Sequence, residues 1–471
     1  METKKKSSFS GSLGFVMAAA GSAVGVGNIW RFPYLAAKDG GGVFIVVYIA
    51  LVVTFGFTLL VTDIAIGRKT GKGALKAFGE INPKWSILGK FTFLVPAIIM
   101  TYYGVIGGWV TKYIIVYLAG QGNAAAQDGY FVSFITSKAS PVVFLLVFMA
   151  ITAFVVYFGV EKGIERFSKA IMPVLLVMII GISVFSLTLS HTDANGVTRT
   201  GMQGLAVYLI PNFEGMTFSR FMQILLDAMS QMFFSLSVAM GIMITYGSYV
   251  KQDVDLNKSI SNIEFFDTGV ALLAGMMIIP AVYVFSGTEG MTAGPSLMFI
   301  SLPKVFEAMG SIGVIVGFVF FVMVAFAALT SCVSIMETLV SNCMEMFGTS
   351  RKKTSLVIAA IYIVLSIIVC LGYNVFYFEL TLPNGSVGQL LDVMDYISNL
   401  FLMPIITLFT CVLVGWVVKP KWIEEEMELG GFKFGRKKLY NVMVKFVVPV
   451  IMAVLFMQST GFITYIEKLI K

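Results

Sequence analysis

The chain has 471 residues, of which 58% are hydrophobic and 13% charged, with a net charge of +7. A water-soluble domain could not bury that much apolar surface, so the composition excludes a soluble globular protein and points to a membrane protein. The basic balance is then a matter of bilayer topology and not of nucleic acid binding.

Eleven apolar segments are long enough to cross a bilayer: 13–37, 42–67, 91–118, 141–160, 167–190, 221–250, 261–286, 311–346, 355–373, 389–418 and 443–466. They are numbered segments 1 to 11 in chain order. Most of the 33 lysines and arginines precede segment 1 or fall between segments 2 and 3, 4 and 5, 6 and 7, 8 and 9, and 10 and 11. The positive-inside rule then predicts a multi-pass protein of the inner (plasma) membrane with a cytoplasmic N-terminus and, the count being odd, an external C-terminus. Lys4, Lys5 and Lys6 precede an apolar stretch too long for a signal core, so no cleavable signal peptide is expected.

Segment 1 is irregular. Its middle reads Gly25-Val26-Gly27-Asn28, weak helix-forming sequence, and Arg31 and Pro33 follow. Unpaired backbone groups are costly in hydrocarbon, so a broken helix survives only beside a polar cavity. The expected structure is a helix unwound at mid-membrane, its freed carbonyls and amides holding a ligand or an ion. The alternative is two glycines that let a neighbouring helix pack closely. Segment 6 repeats the pattern, with Ser235, Ser237 and Gly241 weakening an apolar run. Because five spans precede it, segment 6 enters from the side opposite to segment 1. Interrupted helices at matching places in two five-helix halves, 1–190 and 221–418, predict an all-α inverted-repeat transporter with its site at the midplane. Segment 11 (443–466) is then an additional helix. The loops 191–220 and 287–310 read as partly helical caps, and 419–440 as a charged, solvated connector.

Cys332, Cys343, Cys370 and Cys411 all fall in apolar segments, which fits neither a disulfide framework nor a zinc site. His191 is the only histidine and sits in a polar loop; without a metal cluster, HExxH or GxSxG pattern, an intramembrane enzyme is not expected. Asp63 and Glu337 are expected to be structural acids satisfied by helix-end amides or hydroxyls. Asp227 and Glu264, nearer helix ends, are expected to be solvated.

The motif Gly21-Ser-Ala-Val-Gly-Val-Gly-Asn-Ile-Trp-Arg-Phe-Pro-Tyr34 resembles the neurotransmitter:sodium symporter family, specifically its bacterial amino-acid branch. Gly40-Gly-Gly-Val-Phe44, Gln231-Met-Phe-Phe-Ser-Leu-Ser237, Ile244-Thr-Tyr-Gly-Ser-Tyr249 and Leu329-Thr-Ser331 follow in the order the resemblance requires. It covers essentially the whole chain and implies a five-plus-five inverted repeat with one extra helix, and sodium-coupled symport by alternating access. One sodium site is implied at the backbone of Ala23, the side chains of Asn28 and Ser235, and the substrate's own carboxylate. Shared ligation of that kind couples ion to substrate. A second sodium matches the carbonyls of Gly21, Val24 and Ala327 with the hydroxyls of Thr330 and Ser331, although such hydroxyls also bond back to their own helix.

For the substrate, the resemblance sets the amides near Val26 and Gly27 and the Tyr103 hydroxyl on a carboxylate, and segment 6 carbonyls on an ammonium. Ala23 and Ser235 border this pocket, and Ile99, Phe234, Ser237, Met240, Ser331 and Ile335 line its side-chain end. Gly25 stands where the monoamine branch has an aspartate, which implies an amino acid; the apolar lining implies a bulky hydrophobic or aromatic one. Arg31 and Asp395 are implied as the outer gate above a lid of Tyr103 and Phe234. Lys6, Phe9, Tyr249 and Glu345 match the cytoplasmic gate, with Lys6 and Phe9 replacing the usual Arg and Trp. Gly163 and Pro173 bracket a stretch of segment 5 expected to unwind, or else a static kink. In chloride-dependent relatives the place of Asp267 is an asparagine that ligates the first sodium, and that of Ala271 a serine that helps hold chloride. Tyr48, Gln231 and Ser235 remain of that pocket. Charge balance at low dielectric then predicts chloride-independent transport, with Asp267 as a further sodium ligand that takes a proton once the ion leaves. The implied partners are an amino acid and the bilayer, without nucleic acid, and a homodimer is compatible with them.

Overall fold

The computed structural model describes residues 8–193 and 196–462. Lys6 lies outside the described residues. Among those described, nine helices are long and apolar enough to cross a membrane, or ten if the bent pair Ser12–Ala23 and Val26–Lys38 is one span. The interrupted pair Phe218–Ser235 and Ile242–Gly247 makes segment 6. Segments 2 to 5 are Gly42–Thr70, Pro83–Leu118, Ser140–Tyr157 and Val160–Leu187. Segments 7 to 11 are Leu256–Ser286, Ser311–Phe347, Arg351–Tyr373, Leu390–Val417 and Lys437–Ser459. Segments 3 and 7 start well before their apolar runs because polar residues cap them: Asn82 accepts from Lys84 N–H, and Asp255 from Lys258 N–H. The loops 191–220 and 287–310 do carry helices, Gly201–Leu209 and Leu302–Ala308.

Segment 2 and the second half of segment 6 meet backbone to backbone. A Cβ on Gly67 would sit 1.9 Å from the Ile244 carbonyl oxygen, and one on Gly247 would sit 2.3 Å from that of Ile64. Small residues permit this approach, which locks the two helices together. Gly67→Ala has no flexible neighbour to push aside, so overpacking is expected to cost at least the usual ~1–3 kcal/mol. A fall in the thermal midpoint of the purified protein checks this.

Two expectations are corrected. The connector 419–440 is folded, with a helix Lys421–Met427 whose Ile423 and Met427 are fully buried. These residues, one turn apart, give it an apolar face, and the helix packs on segment 2. Glu264 is buried and paired with Arg436 of that connector, at 2.7 Å. Asp227 stays partly exposed, as expected, in a pair with Lys38 at 2.9 Å. For Glu264, position near a helix end did not mean solvation, because the folded connector covers it.

Candidate substrate and sodium site

Helix 1 breaks after Ala23 and restarts at Val26, the halves meeting at 54°. Val24 and Gly25 are extended, and the Gly25 N–H donates to the Asn28 side-chain oxygen at 3.1 Å instead of to a helical carbonyl. The carbonyls before the break therefore lose their normal partners. That of Ser22 is recovered by the hydroxyls of Ser237 and Ser331, each at 3.0 Å. Helix 6 breaks between Ser235 and Ile242, where Ser237 (φ 53°) and Ala239 (φ 60°) take the left-handed conformation. Such backbone is strained for residues with a Cβ and is held by its surroundings. One holder is Asp63, whose carboxylate accepts from Ala239 N–H at 2.9 Å. The acid expected to be satisfied by an amide is so satisfied, at the broken helix itself.

The two breaks face each other across a cavity of about 30 Å³, measured as room for the centre of a water. Ala23, Gly27, Ile99, Tyr103, Phe234 and Ser235 line it, as do Ser237, Met240, Ser331 and Ile335. Ser22, Gly25, Asn28 and Ile242 also line it; Ile242 was missed in the sequence because it begins the second half-helix, where it reads as ordinary core. Val26 lines a larger cavity of about 380 Å³ above. Gly27, Tyr103 and Phe234 border both spaces, so the Tyr103–Phe234 lid separates them.

Beside the small cavity, the Asp267 carboxylate accepts from Asn28 and Ser235, both at 2.8 Å. Its other oxygen is buried without a partner, as are the Tyr48 hydroxyl and the Gln231 amide oxygen. Gln231 donates its amide N–H to the Gly27 carbonyl at 3.2 Å. A buried carboxylate oxygen left unpaired is costly unless a cation or donor meets it. At the second position, Gly21 faces Thr330, whose Cβ is 3.3 Å from where a Gly21 Cβ would be. The Thr330 hydroxyl bonds back to the carbonyls of Phe326 (3.0 Å) and Ala327 (3.1 Å). Val24 caps the first half-helix nearby.

Arg31 and Asp395 share the larger cavity without forming an ion pair. Arg31 donates to Ser230 at 2.8 Å, and Asp395 accepts from Tyr102 (2.9 Å) and Asn399 (2.6 Å). At the opposite end, which bears most of the basic residues, Phe9 is buried edge-on against Tyr246 and Tyr249. Tyr249 donates to Glu337 at 2.7 Å, and Arg351 clamps the same carboxylate at 2.6 and 2.8 Å. Glu345 accepts from Gly73 N–H at 3.0 Å, anchoring the start of helix Ala74–Ile81. Buried side chains fill the basic end, while the larger cavity lies on the other side of the lid. Segment 5 is helical through Gly163 and Pro173, beginning in a π-helical turn, Val160–Glu165.

Asp39 ends segment 1 on the Arg31 side and accepts from Arg220 at 2.9 Å, with its second oxygen buried and unpartnered. Burial pushes this carboxyl up to about 6. A folded value above the unfolded one adds stability below the ordinary carboxylate range and loses it as pH rises to about 6. Asp39→Asn is therefore expected to match the parent near pH 4 and to melt higher than it above pH 6. Paired melting curves across that range check the sign.

Residues 6–123 and 133–468 match the model of the sodium:neurotransmitter symporter family. The chain belongs to the sodium:neurotransmitter symporter family. This symporter is 32% identical to the uncharacterized sodium-dependent transporter YhdH of Bacillus subtilis, over 99% of this chain and 100% of that one. It is 25% identical to the human sodium- and chloride-dependent GABA transporter 2, over 90% of this chain and 75% of that one. The crystal structure of MhsT in complex with L-phenylalanine superposes with a TM-score of 0.83 at 32% identity, covering 96% of this chain and all of that one. The symporter accordingly has the five-plus-five inverted-repeat fold with one additional helix, and it is a sodium-dependent transporter and not an enzyme. The group around Asp267 suits sodium as a co-transported ion: a carboxylate with one oxygen unpaired and the Ser235 hydroxyl are hard oxygens, while Asn28 donates its amide N–H to the carboxylate and accepts from the Gly25 N–H with its oxygen.

Proposed function

We propose that this symporter imports a neutral hydrophobic or aromatic amino acid by alternating access, coupled to two sodium ions and independent of chloride, with its N-terminus in the cytoplasm. The observation that carries the reading is the cavity between the two breaks. One end offers the first-turn amides of the helix beginning at Val26, the Tyr103 hydroxyl and the Asn28–Asp267 cluster. The same cavity is also lined by the apolar Ile99, Met240 and Ile335. Helix N-termini favour a carboxylate, and an apolar wall favours an uncharged side chain. About 30 Å³ holds little more than water, so a large side chain needs the Phe234 ring to swing toward the open cavity above. MhsT, a relative of known structure, was solved in complex with L-phenylalanine.

A tenfold sodium gradient is worth about 1.4 kcal/mol per ion, and a 100 mV potential about 2.3 kcal/mol more, so two ions offer roughly 7 kcal/mol. That suffices for steep accumulation of a neutral substrate. A binding screen of the natural amino acids, each with and without sodium, tests the reading. Tyr, Trp, Phe, Leu or Met is expected to displace a bound label far better than Glu, Lys or Gly. A preference for Gly or a charged amino acid overturns it.

The two ions are expected to respond to different substitutions. Asn28 adjoins the proposed substrate carboxylate, so Asn28→Ala is expected to lower sodium affinity mainly when substrate is present, roughly tenfold or ~1.4 kcal/mol. Thr330→Ala with Ser331→Ala is expected to lower it with or without substrate. Sodium titrations of both purified variants decide this; identical behaviour refutes two separate sites.

A further inference from the structure

The connector between segments 10 and 11 grips the same helix that the second half of segment 6 is locked to. Arg68 directly follows Gly67, the glycine in backbone contact with Ile244. Its guanidinium is almost wholly buried; it pairs with the Glu426 carboxylate, donates to the Glu426 carbonyl, and reaches the Val254 carbonyl at 2.7 Å. Lys69 donates to the Trp422 carbonyl at 2.7 Å, lies over the Trp422 ring, and pairs with Glu425 at 3.1 Å. Further along, Arg436 holds Glu264 and Ser261 of segment 7 and the Val53 carbonyl of segment 2, with its guanidinium 3.3 Å over the Phe57 ring. Val53 lies in a π-helical turn, where a carbonyl is free to accept an outside donor. Tyr440 closes the seam at Thr62, 3.0 Å away.

Tyr246 and Tyr249, which close the basic end against Phe9, sit on or just after helix Ile242–Gly247. That helix cannot move away from segment 2 without parting the Gly67–Ile244 and Gly247–Ile64 contacts. Opening the basic end therefore carries the inner end of segment 2 with it, against the buried Arg68–Glu426 pair and the Arg436 bond to the Val53 carbonyl. We propose that this connector is a brake on that opening, with Arg68 and Arg436 as positioning residues that hold the closed arrangement. The proposal rests on the alternating-access reading.

Removing one member of a buried ion pair strands the other charge and endangers folding, so the test uses the more exposed pair. In Lys69→Cys with Glu425→Cys, a reversible bis-methanethiosulfonate ties the connector to segment 2 in the folded protein; the native cysteines are buried. In liposomes, uptake of radioactive sodium driven by a mixture of the natural amino acids is the readout. Cross-linking is expected to cut uptake at least tenfold, with recovery on adding reductant, while amino-acid-dependent sodium binding in detergent stays within twofold. Undiminished uptake after cross-linking overturns the brake, since the connector then travels with segment 2; so does joint loss of binding and uptake. Failure of the uncross-linked protein to take up sodium overturns alternating access instead. A second variant, Glu425→Gln, which strands no buried charge, is expected to raise the labelling rate of a Ser248→Cys reporter several-fold, and an unchanged rate counts against the proposal.

Discussion

Replacing chloride by gluconate is expected to leave sodium-driven uptake in liposomes unchanged, and Asp267→Asn is expected to abolish it. The two sodium ions and one substrate carboxylate proposed above would leave excess positive charge in a low-dielectric site, which needs a nearby anion. Asp267 supplies one: it is wholly buried, anchored by Asn28 and Ser235, with one oxygen unclaimed. The neighbouring Tyr48 hydroxyl and Gln231 oxygen also lack partners, while Ala271 presents only a methyl group. Asparagine keeps the shape and removes the charge, so the loss in sodium affinity is expected to be large, on the order of 3 kcal/mol. Asp267→Asn with Ala271→Ser restores a hydroxyl beside Tyr48 and Gln231 and is expected to recover uptake only when chloride is present. A large loss of parent uptake in gluconate rejects the argument.

The parts of this molecule legible in the sequence are those whose chemistry is local. Gly25-Val26-Gly27-Asn28 reads as a break because the same residues both weaken the helix and cap its restart, with Asn28 three positions from the Gly25 N–H it accepts. Ser235, Ser237 and Gly241 read as a second break for the same reason, and the structure puts the two together. Charge partners were not legible. Arg68 and Glu426 are 358 positions apart, and nothing near either one announces the other. Glu264 stands near a helix end, which in isolation means water; the folded connector supplies Arg436 instead. Glu337 was within reach, since an acid deep in an apolar helix wants a partner and Arg351 begins the next helix only 14 positions on. Gate geometry belongs to a conformation and not to a sequence. Arg31 and Asp395 line one cavity, each held by its own neighbours, and the pairing that the resemblance implies is not formed in this arrangement.

Gly25→Asp is expected to abolish amino-acid transport, whereas Gly25→Ala is expected to weaken it only modestly. The backbone at Gly25 (φ −121°) suits any residue, so the glycine is there for space and not for conformation. A Cβ would lie 3.1 Å from the Ser331 hydroxyl and 3.2 Å from that of Tyr103, close enough to need shifts of a few tenths of an ångström in two side chains. Alanine tests that crowding alone. Aspartate adds a carboxylate beside the Tyr103 hydroxyl, where the substrate's own carboxylate is proposed to sit. Two like charges in contact at low dielectric repel strongly, and the fixed one takes the amides and the hydroxyl that the substrate would use. An amine lacking a carboxylate meets no such repulsion and gains an ion partner. Sodium-dependent displacement by phenylalanine and by phenethylamine separates the cases. The parent is expected to bind phenylalanine and ignore phenethylamine, and Gly25→Asp is expected to reverse the order by roughly 100-fold or more, about 2.7 kcal/mol. If Gly25→Asp still prefers phenylalanine, the substrate carboxylate is not beside Gly25, and the orientation proposed for the bound amino acid is wrong.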